Sequence, residues 1–186
     1  TISRRPSGTY YISLLIEDIV HELPKTNEVV GIDFDVRRLT TVSNFQFEVN
    51  PPHLKKLEQK LIKAERTLYQ RIKRAKKDGR DGAFLHDSKN IQKARVNVAR
   101  CHEKVSNAQK DALHKLTTEL VRRYDILTIQ GLNTVEELKK QHLSNPISDE
   151  CWSEFKRQLT YKCDWYGKVL HVIGTKHTSQ DVFVNI

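Results

Sequence analysis

The chain has 186 residues, three cysteines and a formal net charge of +9, with 32 Lys and Arg against 23 Asp and Glu. This length can bury a real core and suits one domain with an appendage. The odd set of cysteines (Cys101, Cys151, Cys163) argues against a disulfide framework, and no apolar run approaches the roughly 20 residues that span a bilayer. With no signal-peptide pattern at the start, a soluble, cytoplasmic protein is expected.

The chain opens with Ser3-Arg4-Arg5-Pro6-Ser7-Gly8, followed by a strand predicted over residues 9–17. Arg4 and Arg5, ahead of a Pro-Ser-Gly turn, are candidate phosphate contacts. A single strand leaves unpaired edges, so a partner segment is expected for it. Residues 18–27, with Pro24, form a linker. Strands follow at 28–34, 37–43 and 45–49, from β-branched runs joined by tight turns. Asp33 and Asp35 fall at the end of the first, two apart and therefore on one face of an extended chain.

Pro51-Pro52 stops the sheet and opens a helix. Leu54, Leu57, Leu61, Ala64 and Leu68 follow alternating steps of three and four, a helix-packing seam. A turn at 76–82 separates it from a second helix over 88–123. That helix has its own seam at Ile91, Ala94, Val98, Cys101, Val105, Ala108 and Ala112. The two seams predict an antiparallel helical hairpin, with Cys101 as a small core residue. Residues 125–130 have the composition of a buried strand, and 133–145 that of a short polar helix or loop. A helix at 149–167 carries the stripe Trp152, Phe155, Leu159, Cys163 and Tyr166, which at this spacing faces a core. Gly167 suits its C-cap, and 168–173 returns as a last strand. Strands alternating with helices, behind an antiparallel meander, predict an α/β sheet.

The charge is concentrated. Residues 54–123 hold 20 Lys and Arg against 8 Asp and Glu, a surplus of +12 that leaves −3 elsewhere. A surplus so focused points to a polyanion partner. Lys63, Arg66, Lys73, Arg74, Lys93, Arg95, Arg100, Lys104, Arg122 and Arg123 lie off the seams and join Arg4 and Arg5 as expected nucleic-acid contacts. His86, His102, His114, His142, His171 and His177 lack the spacing of metal ligands. No nucleophilic triad or phosphate-cradling glycine loop is visible.

Several stretches carry a family resemblance. They are Gly31-Ile32-Asp33; Ile129 with Leu132-Asn133; His102-Glu103-Lys104-Val105 with Asn107; Asp111 to Leu116; and Trp152-Ser153-Glu154-Phe155 through Tyr161-Lys162 to Trp165-Tyr166-Gly167. In this order they resemble the RuvC-like (RNase H-fold) nuclease domain of the TnpB family, transposon-encoded RNA-guided nucleases related to the type V CRISPR effectors. The resemblance covers about residues 3–180. It implies an RNase H-like mixed sheet at 28–180, with the helical hairpin inserted at about 52–123. Residues 1–27 would be the last strand of a wedge-type β-barrel and its linker. It also implies a guide RNA and double-stranded target DNA as partners, with backbone gripped in a basic channel.

The departures are specific. Gln130 stands where the family has its second catalytic Glu, and Gly131 replaces the following Asp. The family's zinc-binding cysteines would follow Thr178-Ser179-Gln180, whereas residues 181–186 read DVFVNI, a truncated or degenerate zinc ribbon. RuvC-type cleavage uses two divalent ions about 4 Å apart, held by several anionic oxygens. Asp33 supplies one carboxylate; the amide of Gln130 is neutral. Asp35 is the local acid that could compensate, and Asp181 a candidate remnant of the family's third Asp. The comparison leads us to expect a nuclease-dead protein with vestigial Asp33 and Gln130 and no metal or cofactor. It would act as a transcriptional repressor by occupying target DNA in a prokaryotic nucleoid. The alternatives are an active, Mg²⁺-dependent endonuclease whose remaining acids lie outside this segment, and a transposon relic whose hairpin mediates protein association.

Overall fold

The computed structural model describes residues 1–34, 39–41, 46–47, 52–80, 82–131 and 146–174. In chain order the elements are β1 (Ile2–Arg4), β2 (Tyr10–Ile12), β3 (Val29–Phe34), β4 (Leu39–Thr41), β5 (Gln46–Phe47), α1 (Pro52–Lys77), α2 (Ala83–Asp87), α3 (Lys89–Arg123), β6 (Ile126–Gly131), α4 (Pro146–Tyr166) and β7 (Val169–Gly174). This is a mixed α/β arrangement that divides into two units, Thr1–Asp18 with Pro51–Ala108, and Ile19–Asn50 with Gln109–Ile186. Among the described residues no helix is long and apolar enough to cross a membrane.

In the first unit the seams zip as their spacing requires. Leu54, Leu61 and Val105 are buried together, with Leu57, Val98, Cys101 and Ala108 against them. The pair is antiparallel: His102 Nε2 lies 3.1 Å from Glu65 Oε1, and Arg71 Nη1 donates to the Asn90 carbonyl at 2.6 Å. Past α1 the chain turns at Gly79, whose φ of 69° lets the Arg80 N–H reach the Ala75 carbonyl at 2.9 Å. Arg74, Lys76 and Lys77 occupy the last turn, where the helix dipole favours cations. The short helix α2 was not predicted; its five residues are too few to show a period.

The strand expected at 9–17 is shorter than predicted and finds its partner locally. β2 pairs antiparallel with β1, Ile2 opposite Ile12 and Arg4 opposite Tyr10. The Pro6-Ser7-Gly8 turn reverses the chain, with Gly8 at φ 87° and its N–H donating to the Arg5 carbonyl at 2.9 Å. Three residues upstream suffice to pair, so β1 is the partner segment expected for this strand.

In the second unit five strands run in the order β5-β4-β3-β6-β7. β3, β4 and β5 form the expected antiparallel meander, while β6 and β7 run parallel to β3. Val30 and Ile32 on β3, and Leu127 and Ile129 on β6, alternate inward. They meet Leu113, Leu116, Leu120 and Val121 of α3 and the predicted α4 stripe of Trp152, Phe155, Leu159 and Cys163. Each fully buried side chain of this size contributes about 1.5–3 kcal/mol relative to exposure. α4 ends as predicted: Gly167 takes φ 66°, and the Lys168 N–H donates to the Cys163 carbonyl at 2.9 Å.

Asp35, the flanks of the strands expected at 37–43 and 45–49, the segment 133–145 with His142, and Leu132-Asn133 all lie outside the described residues. So do His177, Thr178-Ser179-Gln180 and Asp181 with the rest of 181–186.

Candidate functional site

The register of the two central strands brings the two motif positions together. Ile32 on β3 pairs with Ile129 on β6, so Asp33 and Gln130 stand one step further along two adjacent, parallel strands. Gln130 is in turn opposite Ile173, and Gly131 opposite Gly174, near the carboxyl end of β7. Three strands thus end at one margin of the sheet, a place where open α/β sheets bind ligands. Among the described residues no group of three or more His, Cys, Asp or Glu is placed to hold a metal ion. One carboxylate and a neutral amide do not balance two divalent cations, so these residues by themselves do not fit a two-ion site.

The cationic set is exposed throughout: Arg4, Arg5, Lys63, Arg66, Lys73, Arg74, Lys93, Arg95, Arg100, Lys104, Arg122 and Arg123 all face solvent. Ten of them belong to the first unit, and Arg122 and Arg123 to the second. The first unit holds 18 Lys and Arg against 8 Asp and Glu, a surplus of +10, so the second carries −1. Some of these cations have work inside their own unit. Arg4 lies over the Tyr10 ring at 5.6 Å and Arg5 over Tyr11 at 5.5 Å. Arg100 Nε donates to the Ser7 carbonyl at 3.1 Å, and Arg123 Nε to Glu119 Oε1 at 2.5 Å. Glu103 accepts from the Tyr11 hydroxyl at 2.5 Å and from Thr9 Oγ1 at 3.2 Å, which fastens the β1–β2 hairpin to α3. The Tyr11 hydrogen bond, with that of Ser7, holds the Glu103 carboxyl below its usual value.

Among the described residues the histidines take no metal-like arrangement. His102 is paired with Glu65, and His86 and His171 are exposed. His114 is held below its ordinary value by burial and by the neighbouring Lys162 ammonium.

Sequence reasoning passed over a polar cluster between α3 and α4. Lys162, only 6% exposed, donates to the His114 carbonyl at 2.9 Å, to Thr117 Oγ1 at 2.7 Å and to Thr118 Oγ1 at 2.8 Å. The Thr117 hydroxyl is 3.1 Å from Gln158 Oε1, and Gln158 Nε2 donates to Glu154 at 2.9 Å. All three Lys162 partners are neutral, and burial pushes its ammonium down to about 8. Glu154, bound by Arg157, is held down at about 2. The polar members of a helix are visible in a sequence, but which of them meet a second helix is not.

Comparison with known proteins adds what geometry alone does not. Residues 11–141 match the profile of the OrfB_IS605 family, described as "Probable transposase", and residues 152–184 match that of the Cas12f1-like TNB domain. A protein of Streptomyces pristinaespiralis named "Putative RNA-guided DNA endonuclease" is 37% identical over 173 residues, 93% of this chain and 40% of its own length. InsQ of Escherichia coli K12, named in the same way, is 26% identical over 189 residues, 93% of this chain and 44% of the relative. A Mycobacterium tuberculosis protein with that description is 29% identical over 151 residues, covering 77% and 31%. The chain therefore spans less than half the length of these relatives. Their names overturn the expectation of a nuclease-dead protein that is not an enzyme, since chains alike along nearly all of this one are named endonucleases. The expected repressor role rested on that inactivity and loses its premise with it.

Proposed function

Because this chain belongs to the TnpB family, the OrfB_IS605 group of transposases, we propose that it supplies the sheet and helical hairpin of an RNA-guided DNA endonuclease. The observation that carries the reading is the parallel β3–β6 register, which sets Asp33 beside Gln130 at the end of the two central strands. The sheet order supports an RNase H-like (RuvC-like) identity, and the β1–β2 hairpin would close a wedge-type barrel. The reaction is phosphodiester hydrolysis in the target DNA. Magnesium, when bound, would neutralise charge on the scissile phosphate. Asp33 offers one carboxylate toward such an ion, and the other acids come from outside the described residues.

Sequence is read by base pairing between guide RNA and target, while protein cations hold the backbone. The first unit, with its surplus of +10, is the surface for that grip. Binding should then weaken steeply as salt rises, with a slope of roughly 0.9 per duplex phosphate neutralised.

The test uses the full-length protein that carries this chain, with its copurified RNA identified by sequencing, a matching DNA duplex and Mg²⁺. Guide-dependent cutting that disappears in Asp33→Ala and on chelation is expected. Cutting that survives Asp33→Ala, or no cutting with any copurified guide, overturns the reading.

A further inference from the structure

Helix α1 carries two stripes, and only one of them is used by its own unit. The first, Leu54, Leu61 and Ala64 with Ala75 further along, is buried. The second is Ile62, Arg66, Tyr69 and Lys73, at steps of four, three and four, which places all four in one line along the helix. Every member of this line faces solvent, Ile62 with 62% and Tyr69 with 65% of its surface exposed. The Tyr69 hydroxyl has no hydrogen-bond partner among the described residues. Single exposed apolar residues need no explanation. A branched aliphatic and an aromatic two turns apart, interleaved with cations, form a pattern.

The surroundings narrow the occupant. In and beside this line α1 also carries Lys55 and Lys77, with Lys63 and Arg74 on the next row, while Glu58, half-buried one turn before Ile62, is the acid in the line. Glu65, which borders the stripe on its inner side, faces His102 across the hairpin. A face on which cations outnumber acids in this way complements a polyanion. A phosphate backbone alone would need no aromatic. A tyrosine ring flanked by an arginine one turn before and a lysine one turn after is the arrangement that stacks a base while its phosphates meet the cations. Paired bases hide their faces within the duplex, so the base must be unpaired.

We propose that the Ile62–Arg66–Tyr69–Lys73 stripe binds an unpaired nucleotide segment, with Tyr69 stacking on a base and Arg66 and Lys73 on the flanking phosphates. This rests on the nucleic-acid reading above and names a contact that reading does not require.

The test measures affinity of the intact protein, freed of bound RNA, for three labelled probes: a mixed-sequence single-stranded RNA, a DNA strand of the same sequence, and a blunt DNA duplex. Tyr69→Ala is expected to weaken single-strand binding roughly 5- to 150-fold, the range for loss of one base stack, and to leave duplex binding unchanged. The salt slope of Tyr69→Ala should equal that of the parent, whereas Arg66→Gln with Lys73→Gln should flatten it by about 1.4. Tyr69→Trp should restore affinity. The RNA and DNA arms show whether guide or target supplies the base. Parent-like single-strand binding by Tyr69→Ala, with weakened binding by the Arg66/Lys73 double variant, overturns the stacking contact and leaves the nucleic-acid reading standing. Equal losses on strand and duplex also overturn it, as does Tyr69-dependent capture of an acidic protein without nucleic acid. Failure of the parent to bind any probe defeats the broader reading itself.

Discussion

Lys168 donates to Asp125 Oδ1 at 2.5 Å and to the Pro24 carbonyl at 2.9 Å, from a side chain that is 1% exposed. The other Asp125 oxygen accepts the backbone N–H groups of Thr26 and Asn27 at 2.8 and 2.6 Å. One carboxylate therefore fastens the linker before β3, the start of β6 and the start of β7. The Lys168 hydrogen bond, with those of Asn27 and Thr26, brings the Asp125 carboxyl from 3.8 down to about 2.

Asp125→Asn keeps the shape but removes the anion facing a buried ammonium. We expect a clear fall in thermal midpoint, larger than for exposed Lys63→Gln measured alongside. Because the folded value is depressed, the parent's stabilisation is complete above about pH 4 and is lost as pH falls through 2. The variant should lack that acid-side loss in a denaturant titration. An unchanged acid limb would show that the pair does not contribute.

Lys162 behaves in the opposite sense. Burial lowers its value from 10.5 to about 8, so between those limits the unfolded chain binds more protons than the folded one. Stability from this group rises with pH across that window. Its neighbours Thr117 and Thr118 keep carbonyl acceptors of their own in Leu113 and His114. Lys162→Met thus orphans no donor, and replacing a buried charge with an apolar isostere is often neutral or stabilising by about 1–4 kcal/mol. The denaturant midpoint at pH 7 should hold or rise, and the increase above pH 8 should vanish.

Two glycines separate backbone strain from crowding. Gly167 and Gly79 both have positive φ, 66° and 69°. An added Cβ at Gly79 meets nothing within 4 Å, while at Gly167 it comes 2.7 Å from Glu22 Cδ. Glu22 is exposed and its carboxylate can swing away, so the left-handed backbone decides both costs. Gly167→Ala and Gly79→Ala should each lose about 1–2 kcal/mol by denaturant unfolding. A much larger loss at Gly167 would show that Glu22 is held in place.

Gln130→Glu places a second carboxylate beside Asp33 on the adjacent strand. Ligand charge count sets affinity for hard cations, so Mg²⁺ binding should tighten by about tenfold. Calorimetric titration with the double variant Asp33→Ala/Gln130→Glu checks it, since the gain should require both positions.

The parts of this protein that were legible in advance are those where burial repeats along one element. The seams from Leu54 and Ile91 and the Trp152–Cys163 stripe are such periodic signals, and the structure buries them. The bond between Asp125 and Lys168 joins residues 43 positions apart and has no local signature. β1, three residues long, is below the reach of any pattern. Asp33 and Gln130 could be named from motifs, but only the strand register makes them neighbours. Net charge flagged the cationic hairpin, yet it could not show that Arg100 is committed to Ser7 or that Ile62 and Tyr69 line up with Arg66.

The central pairing of the sheet also dictates a schedule for biosynthesis. Val29 pairs with Ile126, 97 positions later. At ordinary translation speeds that gap is roughly 5 to 20 s, during which the first strand has left the ribosome and its partner has not. Its valines and isoleucine stay uncovered for that whole interval, while helices assemble within microseconds. Expression yield should therefore depend on holdase chaperones during synthesis, even for a chain that is stable once complete.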